Sequence, residues 1–274
     1  MITAARKGTA YCRVSPAASA VLYYKYPSLR SRRSSSHRLF STTTMASFPP
    51  LARLLSANAQ WAADVEQVEP DFFTECAKGQ TPRVLWIGCA DSRVPESVVT
   101  AARPGDIFVH RNIANQFHPD DISAHAVLTY AVNHLGVEHV VVVGHSECGG
   151  AVACLNASTQ LLEDEDKPVV IDPALPEDAP LNRWLAPLTK MAASLKLSSA
   201  PRDEALDALV EENVKAQVVN IIQSQTIQDA WKNGRSPRGK EVWVHGWVFD
   251  LSVGKLKDLE ISQGPKGAIL DLHA

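Results

Sequence analysis

The chain has 274 residues, 45% of them hydrophobic and 21% charged, with a formal net charge of −3. That length allows one large domain or two small ones, and no run approaches the roughly 18 apolar residues that a membrane span needs. Five cysteines (Cys12, Cys76, Cys89, Cys148 and Cys154) are an odd number without paired spacing, which argues against a disulfide framework and for reduced thiols.

The charge is uneven along the chain. No acid precedes Asp64, while Arg6, Lys7, Arg13, Lys25, Arg30, Arg32, Arg33 and Arg38 all fall in residues 1–40, followed by a run rich in Ser and Thr. An acid-poor, Arg-rich and Ser-rich leader has the composition of an organelle transit peptide. Arg38-Leu39-Phe40-Ser41 resembles a mitochondrial processing site, so the expectation is a cleaved leader over 1–40 and a mature domain over 41–274 in the mitochondrial matrix. Met45 offers a second start and an untargeted cytosolic form. The plainer reading is a basic tail that binds nucleic acid or acidic lipid. Removing the eight basic residues takes the net charge from −3 to −11, and so acidic a body argues against nucleic acid.

Residues 48–78 read as two helices, with apolar residues three and four apart, ended by Gly79-Gln80-Thr81-Pro82. Residues 84–88, VLWIG, are short and wholly apolar, the profile of a strand buried on both faces. A short helix over VPESVVTAA follows, then a strand over 107–110. DISAHAVLTYAVNHLG predicts a long helix with Asp121 as N-cap and Gly136 as stop. Residues 140–144, VVVVG, form the clearest strand, and a helix is expected to start at Cys148 or Gly149. The acidic stretch 163–180 reads as a loop, 203–231 as one long helix with a break, and the alternating segment around Val253-Gly254 as a hairpin. Strands alternating with helices imply an α/β domain around a mostly parallel sheet of four to five strands.

Chemistry gathers at two strand ends. Cys89 follows the first strand in CADSRVPE, and His145 and Cys148 follow the third in HSECGG. In open α/β sheets, sites form outside the carboxyl ends of the strands. Two thiolates at about 2.3 Å and an imidazole at about 2.0 Å would fill three corners of a zinc tetrahedron and leave one for water. Each half has a plainer reading: a strand-end Cys is commonly a small buried hydrophobe, and His-x-x-Cys occurs in many loops. Both at equivalent points of one sheet are harder to set aside. Asp91 can either bind the metal or pair with the guanidinium fork of Arg93; the alternative for that pair is a surface ion pair of little consequence. Cys148 at a helix start gains support for its thiolate from free N–H groups. Gly149 and Gly150 either let a small ligand approach the backbone or merely permit a tight turn.

CADSRVPE, PGDIFVHRNIANQ and HSECGG together resemble the beta class of carbonic anhydrases, and the similarity runs from about Leu51 to the C-terminus, including the NVKAQV and VHGWVFD segments. The resemblance implies a zinc enzyme that interconverts carbon dioxide and bicarbonate, with one Zn2+ per subunit on Cys89, His145 and Cys148. It makes Asp91 and Arg93 a catalytic dyad in which Asp91 also serves as an alternative zinc ligand. Gln80 would bind substrate across a subunit interface, and Phe108, Ile113 and Tyr130 would line the carbon dioxide pocket. An N-terminal arm helix would embrace a second copy, giving a homodimer at least and admitting a homotetramer. Trp86 and Arg111 resemble members with a regulatory bicarbonate site, but Phe249 replaces the tyrosine of those members, which favours packing and strand pairing for both. Two rivals share the metal site: hydrolysis of another linear molecule such as carbon disulfide, and a catalytically silent zinc or bicarbonate binder.

Overall fold

The computed structural model describes residues 48–163, 170–233 and 236–265. The expected leader, the start near Ser41 and Met45 lie outside the described residues, as does part of the acidic stretch. The chain divides into two units at Gly79. In the first, α1 (Pro49–Val68) begins with proline at its first turn and is followed by α2 (Phe72–Ala77). Trp61 of α1 meets Phe73 of α2 edge to face at 5.5 Å. Leu51, Leu54 and Leu55 remain exposed on α1.

The second unit is built on the sheet that the apolar runs predicted. In chain order it contains β1 (Val84–Cys89), α3 (Glu96–Val99), β2 (Ile107–Asn112), α4 (Ile122–Tyr130), β3 (His139–His145), α5 (Gly149–Ala157), α6 (Thr159–Glu163), α7 (Pro180–Ser194), α8 (Arg202–Gln223), α9 (Gln225–Asn233), β4 (Trp243–Asp250) and β5 (Lys255–Asp258). The spatial order is β2-β1-β3-β4-β5. The first four strands are parallel, and the hairpin adds β5 antiparallel. Val140–Val143 are at most 3% exposed, as expected where helices cover both faces of a parallel sheet.

Local signals act where they were expected. The Asp121 carboxylate accepts hydrogen bonds from the Ser123 and Ala124 amides at 2.9 and 3.3 Å, satisfying two donors that the start of α4 leaves open. The helix runs on through one wider turn, Ala131–Leu135, and stops at Gly136, whose φ of 68° is left-handed. The expected long C-terminal helix is broken at Ser224 into α8 and α9. One element was not anticipated. Helix α7 lies directly after the acidic stretch and carries Pro187 in its interior.

A buried polar pair bears on stability. His139 Nδ1 lies 3.0 Å from His245 Nε2, and His245 Nδ1 lies 2.7 Å from Ser262 Oγ. Burial pushes His245 down to about 4, whereas an unfolded histidine titrates near 6.5. Between those values the unfolded chain binds the additional proton. This contribution is therefore complete above about pH 6.5 and is lost as pH falls through about 4, by roughly 3 kcal/mol in all. Urea unfolding at pH 7.5 and 4.5 tests it: His245→Asn, which cannot ionise, should show a clearly smaller pH dependence than the wild type. Equal dependence would remove His245 as the source.

Candidate metal centre

Because β1 and β3 are adjacent and parallel, with Gly88 opposite Val143, their carboxyl ends place Cys89 and His145 side by side. The chain turns after His145, and Cys148 becomes the N-cap of α5 with an extended backbone. All three side chains are buried, at 5%, 1% and 2% exposure, and their potential ligand atoms lie within 4.8 Å of one another.

The donor chemistry suits a soft divalent cation. His145 Nδ1 lies 2.8 Å from the Ser146 carbonyl. A carbonyl can only accept, so that nitrogen carries the proton and Nε2 presents its lone pair. Nε2 is buried and has no hydrogen-bond partner among the described residues. A hydrogen bond from Cys148 holds the Cys89 thiol far below its ordinary range, outweighing the opposing effect of burial, and His145 adds to the lowering. The same bond, together with burial, pushes Cys148 up. Protein groups alone therefore favour only one of the two thiolates. A divalent cation would balance both.

Arginines lock the loops that carry these groups. Arg93 grips Asp91 with two prongs: Nε donates to Oδ1 at 3.0 Å and Nη2 donates to Oδ2 at 2.7 Å. The Arg93 backbone amide adds a bond of 2.9 Å to Oδ1. These bonds keep the Asp91 carboxyl well below the usual carboxylate range, so it is ionised throughout the working pH range. Arg93 Nη2 also reaches the Glu147 carbonyl at 3.1 Å, tying the loop after β1 to the loop after β3. Asp91 Oδ2 stands 3.9 Å from His145 Nε2, which puts the carboxylate at the rim of the triad. From β2, Arg111 donates to the carbonyls of Cys89 at 2.8 Å and Asp91 at 2.5 Å. Ser146 is held on both sides, its amide donating to the Phe249 carbonyl and its hydroxyl accepting from the Leu251 amide.

The sequence-derived candidates thus fall into two groups. Cys89, His145, Cys148, Asp91 and Arg93 converge, and Gly149 opens α5 beside them with nothing within 4 Å of where a Cβ would stand. Ile113 touches the same turn, its Cγ2 lying 3.2 Å from the Cβ position of Gly150. Phe108 and Tyr130 stack on each other at 5.8 Å on β2 and α4, and Gln80 is exposed ahead of β1. Trp86 is buried against the edge of Trp247 at 6.5 Å. Arg111 uses its donors on the ligand loop and lies 3.8 Å from a Glu96 carboxylate oxygen. The sequence reading missed Ser146, whose carbonyl orients His145, and the Glu147 carbonyl that Arg93 grips. Their adjacency to His145 was the available signal, because a metal-binding histidine needs an acceptor for its second nitrogen.

The sequence profile of the carbonic anhydrase family matches residues 84–256, the span that contains all of these groups except Gln80. The chain belongs to the carbonic anhydrase family. A carbonic anhydrase of Emericella nidulans is 36% identical over 212 residues, covering 76% of this chain and 83% of the relative. A beta carbonic anhydrase of Arabidopsis thaliana, described as mitochondrial, is 34% identical, covering 71% and 62%. Among solved structures, one of two tetrameric beta-carbonic anhydrases from Sordaria macrospora superposes with a TM-score of 0.66 at 36% identity, covering 78% of this chain and 99% of that one. The beta class accordingly accounts for the open, mostly parallel sheet.

Proposed function

We propose that this beta-class carbonic anhydrase catalyses the reversible hydration of carbon dioxide to bicarbonate and a proton, with zinc held by Cys89, His145 and Cys148. The observation that carries the reading is the convergence of two buried thiols and an unpartnered imidazole nitrogen on one point within a chain of this family. Zinc bound there supplies a nucleophile at neutral pH by lowering the pKa of a water from 15.7 to about 7.

The chain's own residues do the rest. The Ser146 carbonyl fixes the tautomer of His145. Asp91, acceptor-only while ionised, takes the hydrogen bond of the attacking oxygen and thereby aims a lone pair at the substrate. Arg93 holds Asp91 in that attitude through two prongs, which a single-point cation cannot match. Carbon dioxide is neutral and linear, so its pocket needs apolar walls more than charges; Ile113, Phe108 and Tyr130 are assigned that role, with Gln80 as a polar contact for bicarbonate. Carbon disulfide would use the same metal ligands, and it is the carbonic anhydrase relatives that favour carbon dioxide over it.

The same reading extends to assembly and address. The exposed leucines of α1 and the tetrameric relative support a homodimer at least, with a homotetramer built on it. The acid-free, Arg-rich leader and the mitochondrial relative support the matrix as its location. One experiment on native protein recovered from isolated mitochondria addresses both halves. Metal analysis should find one zinc per subunit, the carbon dioxide hydration assay should show turnover, and N-terminal sequencing should begin near Ser41. Zinc-free or inactive protein would sink the catalytic reading, while Met1 retained would sink the leader alone.

A further inference from the structure

Helix α8 buries two amide side chains where apolar ones would be expected, Asn213 at 3% and Gln217 at 4% exposure. Buried amides are unfavourable unless hydrogen-bonded. With Asn220 one turn on, these form a stripe whose bonds go to one segment, residues 113–117. Asn213 Nδ2 donates to the Ala114 carbonyl at 2.9 Å, and the Phe117 amide donates to Gln217 Oε1 at 2.8 Å. Asn220 Nδ2 donates to the Phe117 carbonyl at 3.0 Å. Gln217 Nε2 joins the stripe by donating to Asn213 Oδ1 at 2.9 Å. Trp184 of α7 adds a bond of 2.9 Å to the Ile113 carbonyl.

The segment requires this support. Ala114 and Asn115 are consecutive residues with φ of 60° and 46°, a left-handed conformation that side chains disfavour and that persists only when surroundings enforce it. Its other side rests on the metal loop. A Cβ on Gly150 would stand 3.1 Å from Ala114 Cβ and 3.2 Å from Ile113 Cγ2, and one on Gly144 would stand 3.7 Å from Asn115 Oδ1. Gly144 and Gly150 flank the stretch from His145 to Cys148. Ile113, 41% exposed, is therefore set beside Gly150, two residues past Cys148, by groups 71 to 103 residues away in the chain.

We propose that Asn213, Gln217 and Asn220 are positioning residues that hold segment 113–117 as a wall of the substrate pocket. The inference rests on reading the Cys89–His145–Cys148 centre as catalytic. The test is Asn213→Ala in the full-length protein, read by zinc content, amide hydrogen exchange and steady-state hydration kinetics. Zinc content should be unchanged, the amides of 114–117 should exchange faster, and KM for carbon dioxide should rise about tenfold with kcat within twofold, the pattern of lost binding rather than lost chemistry. Ile221→Val trims a fully buried residue of the same helix and controls for mere destabilisation; it should lower the melting temperature and leave KM alone. If Asn213→Ala does not fold, Asn220→Ala, partly exposed, should give the same pattern at about threefold. An unchanged KM, or an equal rise in Ile221→Val, would overturn the proposal. An inactive wild type would defeat the catalytic reading, whereas unaltered exchange at 114–117 would defeat this one whatever the activity.

Discussion

Cys148→Ser should purify as a folded protein that has lost most of its zinc and nearly all hydration activity. The fold should survive because serine is smaller by little more than the difference between sulfur and oxygen, and because position 148 is an N-cap, a place that serine favours. Metal binding should fail because an alcohol does not ionise under the electrostatics that govern a thiol, and a hard oxygen is a poor substitute for a soft thiolate. Losing an outer partner of a metal ligand already weakens affinity about 10–100-fold, so losing a ligand should exceed that range. Cys154→Ser is the matched control. Cys154 is also buried on α5, but its thiol is directed at the Leu185 carbonyl at 3.6 Å and burial raises it to about 11. A serine hydroxyl can make that bond, and zinc should remain at one per subunit. Full zinc occupancy and normal turnover in Cys148→Ser would remove it from the ligand set.

The contrast between these two cysteines shows what the sequence made legible. Cys89 and His145 could be read as partners because each directly follows a wholly apolar run, and parallel strands deliver such followers to one edge. Cys154 lies mid-helix on the apolar side of α5, where no strand end points. Helix α7 was hidden by Pro187, which reads as a breaker. Its buried face, Asn182, Leu185, Leu188, Thr189 and Ala192, has helical spacing nonetheless, and Pro187 falls on the exposed side, so the missing N–H does not leave a buried carbonyl unpaired. The amide stripe of α8 was illegible for another reason. Asn213 and Gln217 look like polar residues of a solvated helix until the chain brings residues 113–117 against them. No glycine marks Ala114 as left-handed, because tertiary bonds rather than residue type enforce that shape.

Arg93→Ala should retain zinc and lose turnover by about 100-fold or more, the scale for removing one organised electrostatic partner from an active site. In the structure the Asp91 carboxylate is committed to Arg93, with its two oxygens facing the fork. It also lies near the triad, 3.9 Å from the free nitrogen of His145. Those two attachments compete for the same oxygens, so Asp91 cannot satisfy both. Arg93 is more than half exposed, and its removal should disturb the fold little. Asp91 would nevertheless remain ionised, because the neighbouring metal would replace the guanidinium as its stabilising charge. With the fork gone, its best electrostatic option is the cation held by Cys89, His145 and Cys148, and as a fourth protein ligand it would close the position that the substrate oxygen needs. A crystal structure of Arg93→Ala should show that closure. Arg93→Lys should recover only part of the activity, since a lysine supplies the charge without the second prong. The wild type, with both Asp91 oxygens facing the Arg93 fork, should keep Asp91 on Arg93 at pH 8. An Asp91–zinc bond in that wild-type structure would refute the open resting state, and undiminished turnover in Arg93→Ala would take the dyad out of the mechanism.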